Sequence, residues 1–174
     1  ACLNLVEENG SHQSPHDAAK CTSANLFREK TTARLQEFAS QHQLSLDDKW
    51  TINQELGLSL NAMVEESSKY LPEEDAQYCV MHGDFCFSNI LYDFRTRSIK
   101  VIDPRGINNQ GQFTVYGDSR YDIAKLAHSV IGLYDQIVAG YYTLKRDGLH
   151  VDFSLETNPT QESVIHLFKN AVHE

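Results

Sequence analysis

The chain reads His82-Gly83-Asp84-Phe85-Cys86-Phe87-Ser88-Asn89 and, a short interval later, Val101-Ile102-Asp103-Pro104-Arg105-Gly106. Three polar residues, Asp84, Asn89 and Asp103, organise everything around them. The apolar run Tyr78-Cys79-Val80-Met81 reads as a buried strand entering a loop. Ile90-Leu91-Tyr92 and Ser98-Ile99-Lys100-Val101-Ile102 read as two further strands, with the polar segment 93–97 as the turn between them. A loop of a few residues thus carries Asp84 and Asn89 to neighbouring points, and the hairpin returns Asp103 beside Asn89.

Those residue types at that spacing suit phosphoryl transfer, where the protein orients an acceptor hydroxyl and holds a metal on the phosphates. A carboxylate at Asp84 fits the base that orients the hydroxyl. Side-chain oxygens of Asn89 and Asp103 fit Mg²⁺, a hard cation that takes oxygen ligands. His82 is expected to brace the loop backbone, and Gly83 to permit a tight turn.

Outward from this centre, residues 7–22 are polar and read as a loop or linker. A helix is expected from about Ser23 to Gln43, with Leu26, Phe27, Thr31, Leu35 and Phe38 on its apolar face. After a turn at 44–49, a second helical region is expected from about Thr51 to Tyr70, weakened at Gly57 and ended by Pro72. Residues 104–118 read as loop. A long helix is expected from Ser119 or Arg120 to Ile137, with Ile123, Leu126, Ala127, Val130 and Leu133 inward. Another helical stretch is expected over Gln136–Lys145. A final helix is expected over Gln161–Val172, burying Val164, Leu167 and Phe168.

With 174 residues, 41% hydrophobic and 22% charged, the chain can bury a real core as one domain or a large part of one. A net charge of −9 argues against a nucleic-acid partner. No run reaches the length of a membrane span. The cysteines, Cys2, Cys21, Cys79 and Cys86, form no CxxC pair, so reduced thiols in the cytoplasm are expected.

On HGDFCFSN at 82–89, IDPRG at 102–106 and GDSRYDIAKL at 117–126, the sequence resembles the aminoglycoside phosphotransferase and choline kinase superfamily, relatives of the protein kinases. Eukaryotic protein kinases usually carry Arg where Gly83 stands, and Asp-Phe-Gly where Asp103-Pro104-Arg105 stands. Both departures favour the small-molecule branch. The resemblance implies an α+β, mostly helical fold: the C-terminal lobe of a protein-kinase-like enzyme, with a small β-hairpin carrying the metal-binding residues. It implies ATP or GTP as co-substrate with Mg²⁺, and a small hydroxyl-bearing acceptor such as an aminoglycoside, an amino alcohol or a sugar. It implies that Leu91 and Ile102 line the adenine pocket from below. Asn89 and Asp103 serve the same cofactor site through the metal, and Asp122 braces the catalytic loop from the following helix.

Residues 1–77 show no glycine-rich phosphate-covering loop, strand lysine or paired helix glutamate. Residues 1–22 therefore read as an inter-lobe connection and 23–174 as the catalytic lobe. The nucleotide-binding first lobe falls outside this chain, and the segment alone is expected to be inactive. Contact with an anionic acceptor or phosphate is one reading of Arg105, and pairing with a neighbouring carboxylate is the plainer one. Tyr134 and Asp135, with Tyr141 and Tyr142, are candidates for a pocket suited to a cation, against ordinary helix packing.

Weaker candidates are His12, His16 and Cys21 as zinc ligands, Ser88 and Cys86 as nucleophiles, and His128, which is better read as a core histidine. The competing functional class is a catalytically dead kinase-like module that binds a nucleotide or a protein. Intact Asp84, Asn89 and Asp103 speak against it. The oligomeric state is not legible in the sequence.

Overall fold

The catalytic-loop candidates are framed by two strand pairs and one helix. The computed structural model describes residues 25–70, 78–108 and 111–173. Residues 7–22, with His12, His16 and Cys21, lie outside these, as does Pro72.

A π-helical turn at Asn25–Glu29 runs into helix α1 (Lys30–His42), which ends on Gln43 in the left-handed conformation. The inward face differs from the expected one. Ala39 is buried and Phe27, Lys30 and Leu35 are half-buried, whereas Phe38 is exposed and stacks on His42 one turn on.

The expected helix over 51–70 forms only in its second half. Strands β1 (Lys49–Ile52) and β2 (Glu55–Ser59) make a hairpin first, and helix α2 (Leu60–Ser68) follows, capped by the Ser59 hydroxyl. The two-residue turn between the strands, Asn53-Gln54, has positive φ at both positions, 50° and 71°. That geometry matches the right-handed twist of paired strands.

Strand β3 (Tyr78–Val80) pairs antiparallel with β6 (Tyr116–Asp118), and β4 (Ile90–Asp93) pairs with β5 (Ser98–Val101) in the expected hairpin. Helix α3 (Ser119–Val130) starts directly from β6. It stops well short of Ile137, because Leu133 adopts the left-handed conformation at φ 49° and a new short helix, α4 (Tyr134–Ala139), begins there. Gly140 at φ 82° ends α4. The segment expected as helix to Lys145 is strand β7 (Tyr142–Asp147), which turns at Gly148 into β8 (His150–Leu155).

Strands from both ends of the described chain make one four-stranded sheet in the order β2-β1-β8-β7, with β1 and β8 parallel. Asn53 locks it, donating from its side-chain amide to the Phe153 carbonyl at 2.8 Å and accepting from the Phe153 N–H at 2.8 Å. Helix α5 (Pro159–His173) packs on α3. Its inward face is Gln161, Ile165 and Phe168, while Val164 and Leu167 point outward.

The described residues thus make an α+β fold, with five α-helices, eight strands and a mixed sheet. The largest fully buried side chains, Asp118 and Ser129, are polar. They lie beside the catalytic-loop candidates and not within an apolar core. No helix among the described residues is long and apolar enough to cross a membrane.

Candidate active site

Strand β3 delivers the chain to His82, and from there to Asn89 the backbone is held from three sides. The first is α3, which turns a polar stripe toward the loop. Asp122, Lys125 and Ser129 recur three and four residues apart, the spacing that aligns side chains on one helix face. The Asp122 carboxylate accepts from the His82 N–H at 2.7 Å and the Gly83 N–H at 2.8 Å. The Lys125 ammonium lies 2.8 Å from Asp84 Oδ1. The Ser129 hydroxyl accepts from the Phe87 N–H at 3.1 Å. Helix α3 is itself anchored at its start by Asp118, fully buried and paired with the Arg120 guanidinium at 2.7 Å.

The second side is the segment after β5. His82 Nε2 lies 2.9 Å from the Ile102 carbonyl, and the Arg105 N–H donates to the His82 carbonyl at 2.9 Å. A carbonyl only accepts, so Nε2 carries the proton. That leaves Nδ1 to accept from the Asp84 N–H at 3.3 Å. His82 is therefore a strut between two segments. Gly83, at φ 76°, occupies a conformation that side chains rarely adopt, and a Cβ there would lie 2.9 Å from the Cβ of Arg105.

The third side lies within the loop. The Asn89 side-chain amide donates to the Asp84 carbonyl at 2.9 Å and to Asp84 Oδ2 at 3.3 Å. The buried Cys86 thiol lies 3.2 Å from the Ser88 hydroxyl, which accounts for both residues by packing.

The two Asp84 oxygens thus have different partners, Lys125 on Oδ1 and Asn89 on Oδ2. Burial by itself raises the Asp84 pKa. The Lys125 hydrogen bond and charge, the Arg105 charge and the Asn89 bond outweigh it, and the carboxyl sits below its ordinary range. Burial likewise works to lower the Lys125 pKa, and Asp84 more than reverses it. The pair is therefore ionised at neutral pH.

The Asn89 carbonyl accepts from the Ile102 N–H at 3.0 Å, which brings the end of β5 beside Asn89. Asp103 follows at φ 54°, exposed and with no hydrogen bond or ion pair among the described residues. With its amide nitrogen committed to Asp84, Asn89 keeps its side-chain oxygen available. One amide oxygen and one free carboxylate fit Mg²⁺, which completes its shell with water and phosphate oxygens. Among the described residues no three His, Cys, Asp or Glu side chains come together, so an all-protein cage for a transition metal is not offered. Leu91 and Ile102 are 49% and 44% exposed and present an open apolar surface on the hairpin.

The family model of the phosphotransferase enzyme family matches residues 12–150, the greater part of the chain. The chain belongs to that family. Neither the curated proteins nor the solved structures yield a match. The segment that holds Asp84, Asn89, Asp103, Asp122 and Lys125 in this phosphotransferase lies wholly inside the matched region.

The other residues singled out in the sequence have other partners. Arg105 has no carboxylate partner among the described residues. Its Nη2 donates to the Tyr121 hydroxyl at 2.7 Å, its guanidinium stacks 4.8 Å from the Tyr121 ring centre, and its Nη1 is buried without a partner. Tyr134 stacks on His128, 4.4 Å between ring centres, at the surface. His128 is exposed, not a core histidine. Partial loss of solvent around the ring and the charge of Lys125 hold its pKa below the ordinary imidazole value against the pull of Asp135. Asp135 and Tyr141 line a cavity of about 490 Å³ with Gln136, Glu156, Asn158 and Gln161, none of them in the loop 82–89. Tyr142 stacks on Phe153 within the sheet.

Sequence reasoning missed Lys125 and Ser129. The signal was present: counted from Asp122, both fall on the same helical face, inside or just after the segment 117–126.

Proposed function

We propose that the phosphotransferase moves the terminal phosphoryl group of ATP or GTP to a hydroxyl of a small molecule, with Asp84 as base. The observation that carries this reading is the grip on Asp84: an ionised carboxylate oriented by Asn89 and Lys125, on a loop clamped by Asp122. The hydroxyl oxygen attacks the terminal phosphorus and its proton passes to Asp84. The bond to the bridging oxygen breaks, and the nucleoside diphosphate leaves.

Asn89 and Asp103 would hold Mg²⁺ against the phosphates, and when bound the metal supplies neutralisation of their charge. Leu91 and Ile102 would form the floor under the adenine or guanine ring, consistent with their exposure. On this reading residues 23–174 are the C-terminal, catalytic lobe of a kinase-like fold. Residues 1–22 are its connection to a nucleotide-covering lobe, and the lobe alone lacks activity. Free thiols at Cys79 and Cys86 are consistent with a reducing compartment such as the cytoplasm.

The test is Asp84→Asn in the full-length protein. Losing a general base lowers turnover by about a hundredfold or more, while nucleotide affinity is retained. A fully active variant removes Asp84 from the role. Nucleotide binding without turnover, across a panel of acceptors, assigns the chain instead to the inactive binding modules.

A further inference from the structure

The cavity beside Asp135 is acidic but does not reach Asp84, and the exposed hairpin face already serves the nucleotide in the reading above. The surroundings of Asp84 carry more. In a chain of net charge −9, this carboxylate lies in the field of three cations. Lys125 is bonded to it. Arg105, in the segment after Asp103, adds its charge to the field at Asp84, its fork held in place by the Tyr121 ring and hydroxyl. Lys30 comes from α1, one turn beyond Phe27, which packs on the same Tyr121 ring at 5.7 Å between centres.

Resting on the phosphotransferase reading, we infer that the acceptor is a hydroxyl-bearing acid, whose carboxylate or phosphate ester docks on Lys30 and Arg105 beside Asp84. Three observations support this. Lys30 is half-buried on the inward face of its helix, yet makes no ion pair among the described residues. Burial, Arg105, Arg34 and Lys125 all push its pKa down, and Asp84 only partly opposes them. The cluster therefore holds mutual repulsion that an incoming anion relieves. Arg105 Nη1 is buried with no acceptor, the state of a donor whose partner arrives with a ligand.

The side of Asp84 matters too. Lys125 holds Oδ1, and Asn89, on the nucleotide and metal side, holds Oδ2. The cations come from α1, α3 and the segment around Arg105, and none belongs to the β4–β5 hairpin. Lys125 thus occupies the Asp84 oxygen that Asn89 does not, and the acceptor is taken to enter on that side.

The test uses the full-length protein, a non-hydrolysable nucleotide and Mg²⁺, and calorimetry with matched probes. These are gluconate against glucose, and glycerate and glycerol 3-phosphate against glycerol, with choline and an aminoglycoside as cationic controls. The two glycerol acids separate a carboxylate site from a phosphate site. At least one acid is expected to bind about tenfold or more tighter than its neutral analogue, the scale of one charge-assisted hydrogen bond.

Lys30→Met removes that preference and Lys30→Arg keeps it, with circular dichroism confirming the fold of both. Acids that bind no better than their neutral analogues overturn the inference, as does absence of binding by either. A Lys30→Met effect confined to nucleotide affinity also overturns it, since the cluster would then serve the nucleotide phosphates. Turnover is measured separately. An acid that binds with the stated preference but is never phosphorylated counts against the phosphotransferase reading alone. A neutral or cationic compound phosphorylated with no preference for acids counts against the inference alone.

Discussion

Lys125 Nζ lies 2.8 Å from Asp84 Oδ1, while Asn89 holds Oδ2 of the same carboxylate. A carboxylate gripped on both oxygens by donors is well oriented and made more acidic. The two effects oppose each other, because a more acidic carboxylate is a weaker proton acceptor.

The first consequence is a shift in pH dependence. The folded-state pKa of Asp84 is depressed, so its ion pair is intact above the ordinary carboxylate pKa and is lost as pH falls through the lowered value. The acidic limb of kcat/KM in the full-length protein is expected to lie below the ordinary carboxylate range. In Lys125→Met, burial acts with less opposition, and the limb moves to higher pH. A pH–rate profile measures this, and a limb that stays in place would detach Lys125 from the titration of Asp84.

Asp122 gives a stability prediction. Its carboxylate satisfies two backbone N–H groups of the loop. Asp122→Ala leaves both without that partner, at a cost of about 2–3 kcal/mol, and Asp122→Asn, which keeps one acceptor oxygen but turns its NH2 toward the other N–H, is expected to recover little of that loss. Urea denaturation measures both. Equal stability of the alanine variant and the parent would mean that the loop finds other acceptors.

Gly83→Ala tests the loop from the opposite direction. The new methyl must fit 2.9 Å from the Cβ of Arg105, in a backbone conformation of φ 76°. Left-handed strain alone costs about 1–2 kcal/mol, and the contact forces the loop and Arg105 apart. Stability and turnover are expected to fall together. Thermal melts and steady-state rates check this, and an unchanged melt with unchanged rate contradicts the close approach.

What the sequence disclosed was local. The β4–β5 hairpin was legible because its apolar runs and polar turn lie within a dozen residues. The helix after Asp118 was legible because Leu126, Val130 and Leu133 keep helical spacing. The β1–β2 hairpin was not, because Ile52, Leu56 and Leu60 also fit a helix and the turn Asn53-Gln54 lacks the glycine that announces such hairpins. Strands β7 and β8 were missed for a related reason. Tyr141-Tyr142 seemed to prolong a helix that Leu133 and Gly140 in fact divide and end. Asp84, Asn89 and Asp103 stood out as candidates by type and spacing, and Asp84 and Asn89 lie within hydrogen-bond reach of each other. Their cationic surroundings were not legible, because Lys30, Arg105 and Lys125 are apart in sequence, and only the fold brings their charges to bear on one another.

The clasp between Asn53 and Phe153 joins residues one hundred positions apart, and the whole loop from His82 to Lys125 lies between its two halves. A chain emerging from the ribosome must present β1 and β2, with the exposed Leu56 and Leu58, long before β8 exists to pair with β1. Closure of so distant a contact is slow. During synthesis the first hairpin is therefore an open sheet edge, vulnerable to self-association, and the rate at which β8 arrives sets how long that exposure lasts.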